Sequence, residues 1–289
     1  MTDETYSSRR PGGALAAPGR IKEISSVSNP IVKDIRALAQ KRHRDETGLF
    51  LVEGLKLVLD GIESGWDLAT LVVSKAALQG GSEVLTRAVS RAVGLGADVV
   101  EASAKVLEAI ARRDNPQAAI GVFRRQLMPI SRIRLQPGEV AVALDRVRDP
   151  GNLGTILRTI DATGAKAVIL VGDCVDPFSL ETVRATMGSI FAVPVVKAKA
   201  AEFLDWRAGF TGQIVGTHMS GTVDYRAPDY AGGATLLFMG NEQAGLSEEM
   251  AAACSVLVRI PQAGRADSLN LAVATGVMLF EARRGALVL

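Results

Sequence analysis

The sequence has few cysteines, few aromatic residues and no long apolar run, and each shortage excludes a class of protein. Its two cysteines, Cys174 and Cys254, are far apart and lack metal-ligand spacing, which argues against a disulfide framework and favours a reducing compartment. Aromatic residues make up only 4%, so the core has to be built from Ala, Val, Leu and Ile. No apolar run could span a bilayer, and the first residues lack the apolar region of a signal peptide. We therefore expect a cytoplasmic protein.

The common catalytic and nucleotide-binding signatures are also missing. Gly94 and Gly96 lack the third glycine of a dinucleotide fingerprint, and no Walker A, G-x-S-x-G, H-E-x-x-H or C-x-x-C sequence occurs. The two histidines, His43 and His218, fall in different predicted domains. A nucleotide-dependent dehydrogenase, a metal site and a Ser-His triad are therefore all disfavoured.

The chain does have the length and apolar content for two folded domains, with basic charge concentrated in two segments. It has 289 residues, of which 48% are hydrophobic, and a net charge of +2. Residues 20–44 hold seven Lys or Arg against two acids, and residues 112–134 hold six Arg against one acid. This local excess fits a polyanionic partner, although a solvated helix face would have the same composition.

Apolar strands alternate with helical patterns through most of the chain, which predicts an α/β protein of two domains. We predict a disordered tail over residues 1–20, a smaller α/β domain over 21–126, a linker over 127–138 and a larger domain over 139–289. The alternation is regular in the larger domain, so its sheet should be mostly parallel and covered on both faces.

Three loops of the larger domain follow apolar strands and carry Gly together with Asn or charged residues: 145–154, 240–246 and 261–270. The first is followed by a predicted helix from Thr155. Ser268 and Asn270 suit the start of the helix after the third loop, because their oxygens accept backbone N–H groups of its first turn. The carboxyl ends of parallel strands are where open α/β sheets bind ligands, so the three loops together predict one composite pocket.

Motifs in these loops resemble those of the SpoU (TrmH-type) RNA ribose 2′-O-methyltransferases. The first is Asn152-Leu153-Gly154-Thr155-Ile156-Leu157-Arg158, the second is Gly240-Asn241-Glu242-x-x-Gly245-Leu246, and the third runs from Ile260-Pro261 through Ser268-Leu269-Asn270 to Ala274. Residues 184–191 are similar to a further family segment, and residues 29–33 and 48–54 resemble its L30e-like substrate-binding domain. Gln243 departs from the pattern, since many members have Gly there.

The resemblance implies a SPOUT α/β domain whose C-terminal part forms a trefoil knot, together with a smaller L30e-like α/β domain that binds RNA. It also implies that S-adenosyl-L-methionine binds in the knot without a metal, and that members are homodimers with the active site near the subunit interface. The implied cofactor-binding residues are Thr217, Gly240, Ile260 and Leu269. The implied catalytic residues are Arg158, Asn152, Glu242, Ser268 and Asn270. Glycines at 240, 245 and 264 fit a backbone that approaches the ligand closely.

Methylation of a ribose requires its weakly nucleophilic 2′-OH to be deprotonated or strongly hydrogen-bonded as it attacks. The resemblance assigns Arg158 to this hydroxyl, as a base or as an electrostatic stabiliser. We favour the second role because a guanidinium stays protonated in proteins. A helix-surface ion pair is the alternative for Arg158. The favoured substrate is rRNA, tRNA is the closest alternative, and a non-catalytic RNA-binding or ribosome-assembly factor is an alternative of a different class.

Overall fold

The chain divides into two compact units in a computed structural model that describes residues 17–112, 115–265 and 268–288. The first unit comprises Met1–Arg125 and Phe178–Arg184, and the second comprises Gln126–Pro177 and Ala185–Leu289. Most of the tail predicted over residues 1–20 lies outside the described residues. Within the part of the chain that is described, no helix is long and apolar enough to cross a membrane.

The first unit is built around a five-stranded sheet with helices between its strands. Its strands are β1 (Ile21–Ile24), β2 (Leu49–Glu53), β3 (Leu68–Ser74), β4 (Asp98–Ala102) and β5 (Ala119–Arg124). Its helices are α1 (Pro30–Ala37), α2 (Lys41–Thr47), α3 (Leu55–Glu63), α4 (Lys75–Gln79), α5 (Glu83–Gly94) and α6 (Ala104–Ala111). The strand order is β1-β4-β3-β5-β2, in which β4 runs parallel to β1 and β3 while β5 runs antiparallel to β3 and β2.

One residue of the predicted basic segment 20–44 has a structural role instead. Arg44 is buried, and its Nη1 donates to the carbonyl oxygens of Leu38 and Ala39 at 2.8 and 2.9 Å. These carbonyls directly follow α1, where the last C=O groups of a helix lack partners within the helix. Arg44 therefore caps the end of α1 and does not add to an exposed basic face.

The second unit contains a seven-stranded sheet. Its strands are β6 (Val140–Asp145), β7 (Val168–Val171), β8 (Val195–Ala198), β9 (Gln213–Thr217), β10 (Val223–Asp224), β11 (Thr235–Met239) and β12 (Val256–Arg259). The helices along this part of the chain are α7 (Pro150–Thr163), α8 (Leu180–Thr186), α9 (Ala200–Ala208), α10 (Glu248–Ala252) and α11 (Leu271–Ala282). The strand order is β10-β12-β9-β11-β6-β7-β8, and each of these pairs is parallel. The predicted α/β fold with a mostly parallel sheet is confirmed.

The central strands β6 and β11 are adjacent and buried along their whole length. Strands covered on both faces need apolar side chains in both directions, which explains why these strands are apolar except for Thr235 at the start of β11 and Asp145 at the end of β6. At the carboxyl ends polar residues follow, with Asp145 closing β6 and Asn241 shortly after β11. The sheet thus changes from core to candidate site at one edge.

Helix α7 begins earlier than the helix predicted from Thr155. Asp149 is its N-cap, since Oδ1 of Asp149 accepts the backbone N–H of Asn152 at 2.6 Å, and Pro150 occupies the first helical position. The second half of the predicted loop 145–154 is therefore wrong. Asn152 lies in the first turn of a helix, which fixes the backbone that carries the first motif.

Candidate active site

The carboxyl ends of three neighbouring strands of the second unit open into one large cavity. These strands are β9, β11 and β12, which end at the same edge because the sheet is parallel. The cavity has a volume of about 790 Å³, a size typical of small-molecule sites. Its lining includes all four predicted cofactor-binding residues, Thr217, Gly240, Ile260 and Leu269.

A second cavity, of about 450 Å³, gathers four of the five predicted catalytic residues. Its lining includes Asn152, Glu242, Ser268 and Asn270, so the first turn of α7, the loop after β11 and the start of α11 meet here. Glu242 and Ser268 line both cavities, which places the two side by side. This arrangement agrees with a composite pocket built from three loops.

A directed chain of hydrogen bonds joins these side chains. Asn270 is the N-cap of α11, and its Oδ1 accepts the backbone N–H groups of Ala272 and Val273 at 2.9 and 3.3 Å. Its Nδ2 is therefore the donor that reaches Oδ1 of Asn152 at 2.9 Å. That bond leaves Nδ2 of Asn152 to donate to Oε1 of Glu242 at 3.2 Å. Helix α11 thus sets the orientation of both amides, and the chain ends on a carboxylate that accepts.

Glu242 ties the loop after β11 to the start of α7. Besides Asn152, its carboxylate accepts the backbone N–H groups of Arg148 and Asp149, both at 3.3 Å. Nδ2 of Asn241 donates to its second oxygen at 3.4 Å. Four N–H donors thus surround the two oxygens, so proton abstraction by Glu242 would disrupt the network. This geometry fits a positioning role for Glu242 better than a role as a base.

Glycines in the loop after β11 allow that loop to close on itself. A Cβ on Gly240 would lie 2.2 Å from the carbonyl carbon of Gly245, and Gly245 has a positive φ of 66°. Asn241 and Gly245 exchange two backbone hydrogen bonds, at 2.9 and 3.0 Å. The predicted reason for Gly240, close approach to a ligand, is therefore not the one that its surroundings show. A Cβ on Gly264 would meet open space.

Sequence reasoning missed the ion pair that anchors this loop. The side chain of Asp145 is only 4% exposed, and its two oxygens accept from Nε and Nη2 of Arg146 at 3.0 Å each, which raises the pKa of Arg146. Oδ2 of Asp145 also accepts the backbone N–H of Ser247 at 3.0 Å. The carbonyl oxygen of Arg146, whose φ is 54°, accepts from Nδ2 of Asn241 at 2.8 Å. The signal available in the sequence was a carboxylate placed directly after a buried strand.

Arg158, the remaining predicted catalytic residue, belongs to neither cavity lining. It lies exposed on α7, and its side chain has no hydrogen bond or ion pair with another of the described residues. Asp161, one helical turn further on, instead accepts a hydrogen bond from Oγ of Ser189 at 2.7 Å. The ion-pair alternative for Arg158 is therefore not what the structure shows, and the guanidinium is available to a ligand or a second chain.

A parallel α/β sheet whose strand ends form a cavity beside a cluster of amides and a carboxylate is the usual setting of a ligand-binding site in an open α/β protein. Comparison with known proteins identifies the family. Residues 139–280 match the SpoU rRNA Methylase family, and residues 29–121 match the MRM3-like substrate binding domain. The chain belongs to the SpoU family of RNA methyltransferases.

Relatives of known function and solved structures cover most of the chain. The 23S rRNA (uridine(2479)-2′-O)-methyltransferase of Streptomyces viridochromogenes is 31% identical, over 86% of either chain. The 23S rRNA (guanosine(2553)-2′-O)-methyltransferase RlmP of Bacillus subtilis is 30% identical, over 91% of this chain and 100% of its own. An AdoMet-bound rRNA methyltransferase from Sinorhizobium meliloti is 55% identical with a TM-score of 0.88, over 93% of this chain and 100% of that one. The chain is an enzyme of this family.

Proposed function

We propose that this chain transfers a methyl group from S-adenosyl-L-methionine to a ribose 2′-hydroxyl of 23S rRNA. The proposal rests on the hydrogen-bond chain from Asn270 through Asn152 to Glu242, which lies beside a cavity of about 790 Å³. Relatives that align over most of their length are named as 23S rRNA 2′-O-methyltransferases, which favours rRNA over the alternative of tRNA.

The larger cavity suits S-adenosylmethionine in size and in chemistry. Thr217, Gly240, Ile260 and Leu269 would hold it, because they combine backbone groups at strand ends with an apolar lining. When bound, the cofactor supplies a methyl group activated by a positively charged sulfur. No metal is needed for this transfer, because the leaving group, S-adenosylhomocysteine, carries no charge on its sulfur.

The smaller cavity is assigned to the ribose hydroxyl. The segments that form this cavity are fixed to one another by the hydrogen bonds among Asn152, Glu242 and Asn270. Ser268 lines both cavities and would therefore lie between the cofactor and the hydroxyl. Arg158 is assigned to the hydroxyl oxygen. Guanidinium groups carry a positive charge, so Arg158 would stabilise the negative charge that develops on that oxygen during transfer.

A homodimer would complete this site. Arg158 lies outside both cavities of its own chain, on α7, and α7 packs against α11. Val273 and Phe280 of α11 are 53% and 54% exposed. Two side chains seven residues apart share one face of a helix, and an exposed apolar face of this kind marks a protein interface. We assign this face to contact with a second copy, so that the partner subunit's Arg158 serves each site.

The first unit is assigned to RNA binding, as an L30e-like domain over residues 21–126. The match to a substrate-binding domain and the basic residues that stay exposed, such as Lys33, support this assignment. Residues 127–138 would then be a linker, and residues 139–289 a SPOUT domain with a C-terminal trefoil knot, which family membership supports. A cytoplasmic location would follow from an rRNA substrate.

The test is methyl transfer from labelled cofactor to separated pools of 23S rRNA, 16S rRNA and tRNA from cells that lack this protein. We expect label in 23S rRNA alone, within dinucleotides that survive alkaline hydrolysis, because a 2′-O-methyl group protects the adjacent phosphodiester. Label confined to tRNA would favour the alternative substrate. Label that alkaline hydrolysis releases as mononucleotides would mean that a base was methylated, and would reject the proposal.

A further inference from the structure

One arginine that lines the larger cavity has no anionic partner among the described residues. Among the described lining residues, Glu242 is the acidic residue and Arg259 is the arginine, with His218 as a further titratable residue. The carboxylate of Glu242 already accepts from four N–H donors. The side chain of Arg259 is exposed and has no hydrogen bond or ion pair to any residue in the described ranges. The cavity lining therefore includes an arginine whose charge no described residue balances.

The carboxylate next to Arg259 in the sheet, that of Asp224, already binds another arginine. Asp224 of β10 is the cross-strand neighbour of Arg259 in β12, so the two side chains leave the same face of the sheet. The carboxylate of Asp224 instead binds Arg226, with Nε donating at 2.8 Å and Nη2 at 2.7 Å. These hydrogen bonds lower the pKa of Asp224 to about 2, so it remains a charged, occupied acceptor. Arg226 thus keeps Arg259 unpaired.

We propose that Arg259 binds the carboxylate at the methionyl end of S-adenosylmethionine. The inference rests on the proposed function, because it takes the larger cavity as the cofactor site. A guanidinium presents two parallel N–H donors that match the two oxygens of a carboxylate. The cofactor carries one carboxylate, and Arg259 is the cation that lines its proposed cavity. Arg259 therefore selects a ligand with an intact amino-acid end over a bare adenosine thioether.

The test compares two ligands that differ only in this carboxylate. Calorimetry of the full chain would measure binding of S-adenosylhomocysteine and of its decarboxylated analogue, in the wild type and in Arg259→Gln. We expect the substitution to weaken S-adenosylhomocysteine by about tenfold, the usual effect of losing a charged hydrogen bond. Binding of the decarboxylated analogue should not change. Arg259→Lys should recover part of the loss, because an ammonium keeps the charge but not the paired donors.

Two further variants separate this role from a general effect of charge. Arg87→Gln removes a positive charge from an exposed position of α5, at a residue outside the cavity lining, and should leave both affinities unchanged. Arg226→Gln should weaken S-adenosylhomocysteine, because it releases Asp224 to pair with Arg259. Adding Asp224→Asn to Arg226→Gln should restore the affinity, since it removes the competing carboxylate.

Equal losses for both ligands in Arg259→Gln would overturn the proposal, as would unchanged affinity for S-adenosylhomocysteine. If only the KM for RNA rose, the guanidinium would be binding an RNA phosphate, which also contradicts it. A wild-type chain that binds neither ligand would reject the proposed function itself. The melting temperature shows whether Arg259→Gln is folded. If it is not, the affinities of Arg259→Lys, Arg226→Gln and the double variant Arg226→Gln with Asp224→Asn for S-adenosylhomocysteine test the same proposal.

Discussion

Replacing Asn152 by Asp tests whether the hydrogen-bond chain has the direction inferred from α11. Nδ2 of Asn152 donates to Oε1 of Glu242 at 3.2 Å, so the substitution would place two carboxylates in contact. Repulsion between two charges at about 4 Å is about 1 kcal/mol in water and about 4 kcal/mol near a protein surface. The lost hydrogen bond adds about 1 kcal/mol. Because both residues are partly exposed, we expect Asn152→Asp to destabilise the protein by about 2 kcal/mol at neutral pH.

The assay is urea unfolding of the wild type, Asn152→Asp and Asn152→Ala at several pH values. Lowering the pH protonates one of the two carboxylates and removes the repulsion, so the penalty of Asn152→Asp should be largest at neutral pH and shrink in acid. The penalty of Asn152→Ala should stay constant, because it introduces no charge. Equal and pH-independent penalties for the two variants would refute the inferred direction of the chain.

A double variant that reverses the direction of the hydrogen bond between residues 152 and 242 adds a second comparison to the same experiment. In Asn152→Asp combined with Glu242→Gln, the new amide nitrogen takes the place of Oε1 and can donate to the new carboxylate, while its oxygen takes the place of Oε2 and still accepts the backbone N–H of Arg148. The hydrogen bond from the backbone N–H of Asp149 to Oε1 is lost. Asn270 still donates to the other carboxylate oxygen, as it donates to Asn152 now. The double variant should therefore be more stable than Asn152→Asp by about 1 kcal/mol or more. Additive losses would show that the two side chains are not coupled.

Three other expectations follow from the structure. Gly240→Ala should lower the free energy of unfolding, measured in urea, by about 2 kcal/mol or more, because its Cβ would lie 2.2 Å from the carbonyl carbon of Gly245. The matched control Gly264→Ala places its Cβ in open space and should leave the stability unchanged. Equal effects of the two substitutions would contradict the loop geometry. If the proposed homodimer forms through the exposed apolar face of α11, Phe280→Glu should yield monomers in analytical ultracentrifugation, because it places a charge on that face. A variant that still dimerises like the wild type would exclude this face as the interface. Lys33→Glu should weaken RNA binding and reduce the salt dependence of the affinity, measured by filter binding at several salt concentrations; an unchanged salt slope would remove Lys33 from the RNA interface.

Helix starts that depend on contacts between residues close together in the sequence could be predicted from the sequence. Asn29 followed by Pro30 is a sequence pattern typical of a helix start, and α1 does begin at Pro30, where Oδ1 of Asn29 accepts the N–H of Ile31 at 2.9 Å. The same signal occurs at Asp149 and Pro150, where the helix was nevertheless predicted too late. There the glycines at 151 and 154 have low helix propensity, and the packing of α7 against α11 outweighs that deficit.

Signals that depend on distant parts of the chain were harder to interpret. Arg44 belongs to a run of basic residues, and nothing in that run shows that its guanidinium caps α1. The short strand β1 has an exposed, charged sequence, and its pairing with β4 identifies it as a strand. Asp145 stood at the start of a predicted loop, and the contact of its carboxylate with Ser247 crosses 102 positions of the chain.

At the candidate site, Asn270 has both of the roles that the sequence suggested for it. Asn270 was predicted either as a helix cap or as a site residue. The structure shows that its Oδ1 caps α11 while its Nδ2 orients Asn152. Ser268, the other candidate cap, lines both cavities and is not the N-cap of α11. The sequence could not place Arg158 relative to the cavities, because a position on a helix does not show what the exposed face of that helix meets.

The central claim is that this chain methylates a ribose in 23S rRNA and that Arg158 acts in the transfer step. The most direct measurement is single-turnover transfer of labelled methyl to 23S rRNA by wild type and Arg158→Ala, with the modified nucleotide mapped. We predict one 2′-O-methylated nucleotide and a loss of at least about a hundredfold in Arg158→Ala, with cofactor affinity and dimerisation retained. Arg158→Lys should recover only part of the rate, because an ammonium cannot reproduce the planar fork. A wild-type rate in the folded Arg158→Ala dimer, or no ribose methylation by the wild type, would contradict the account.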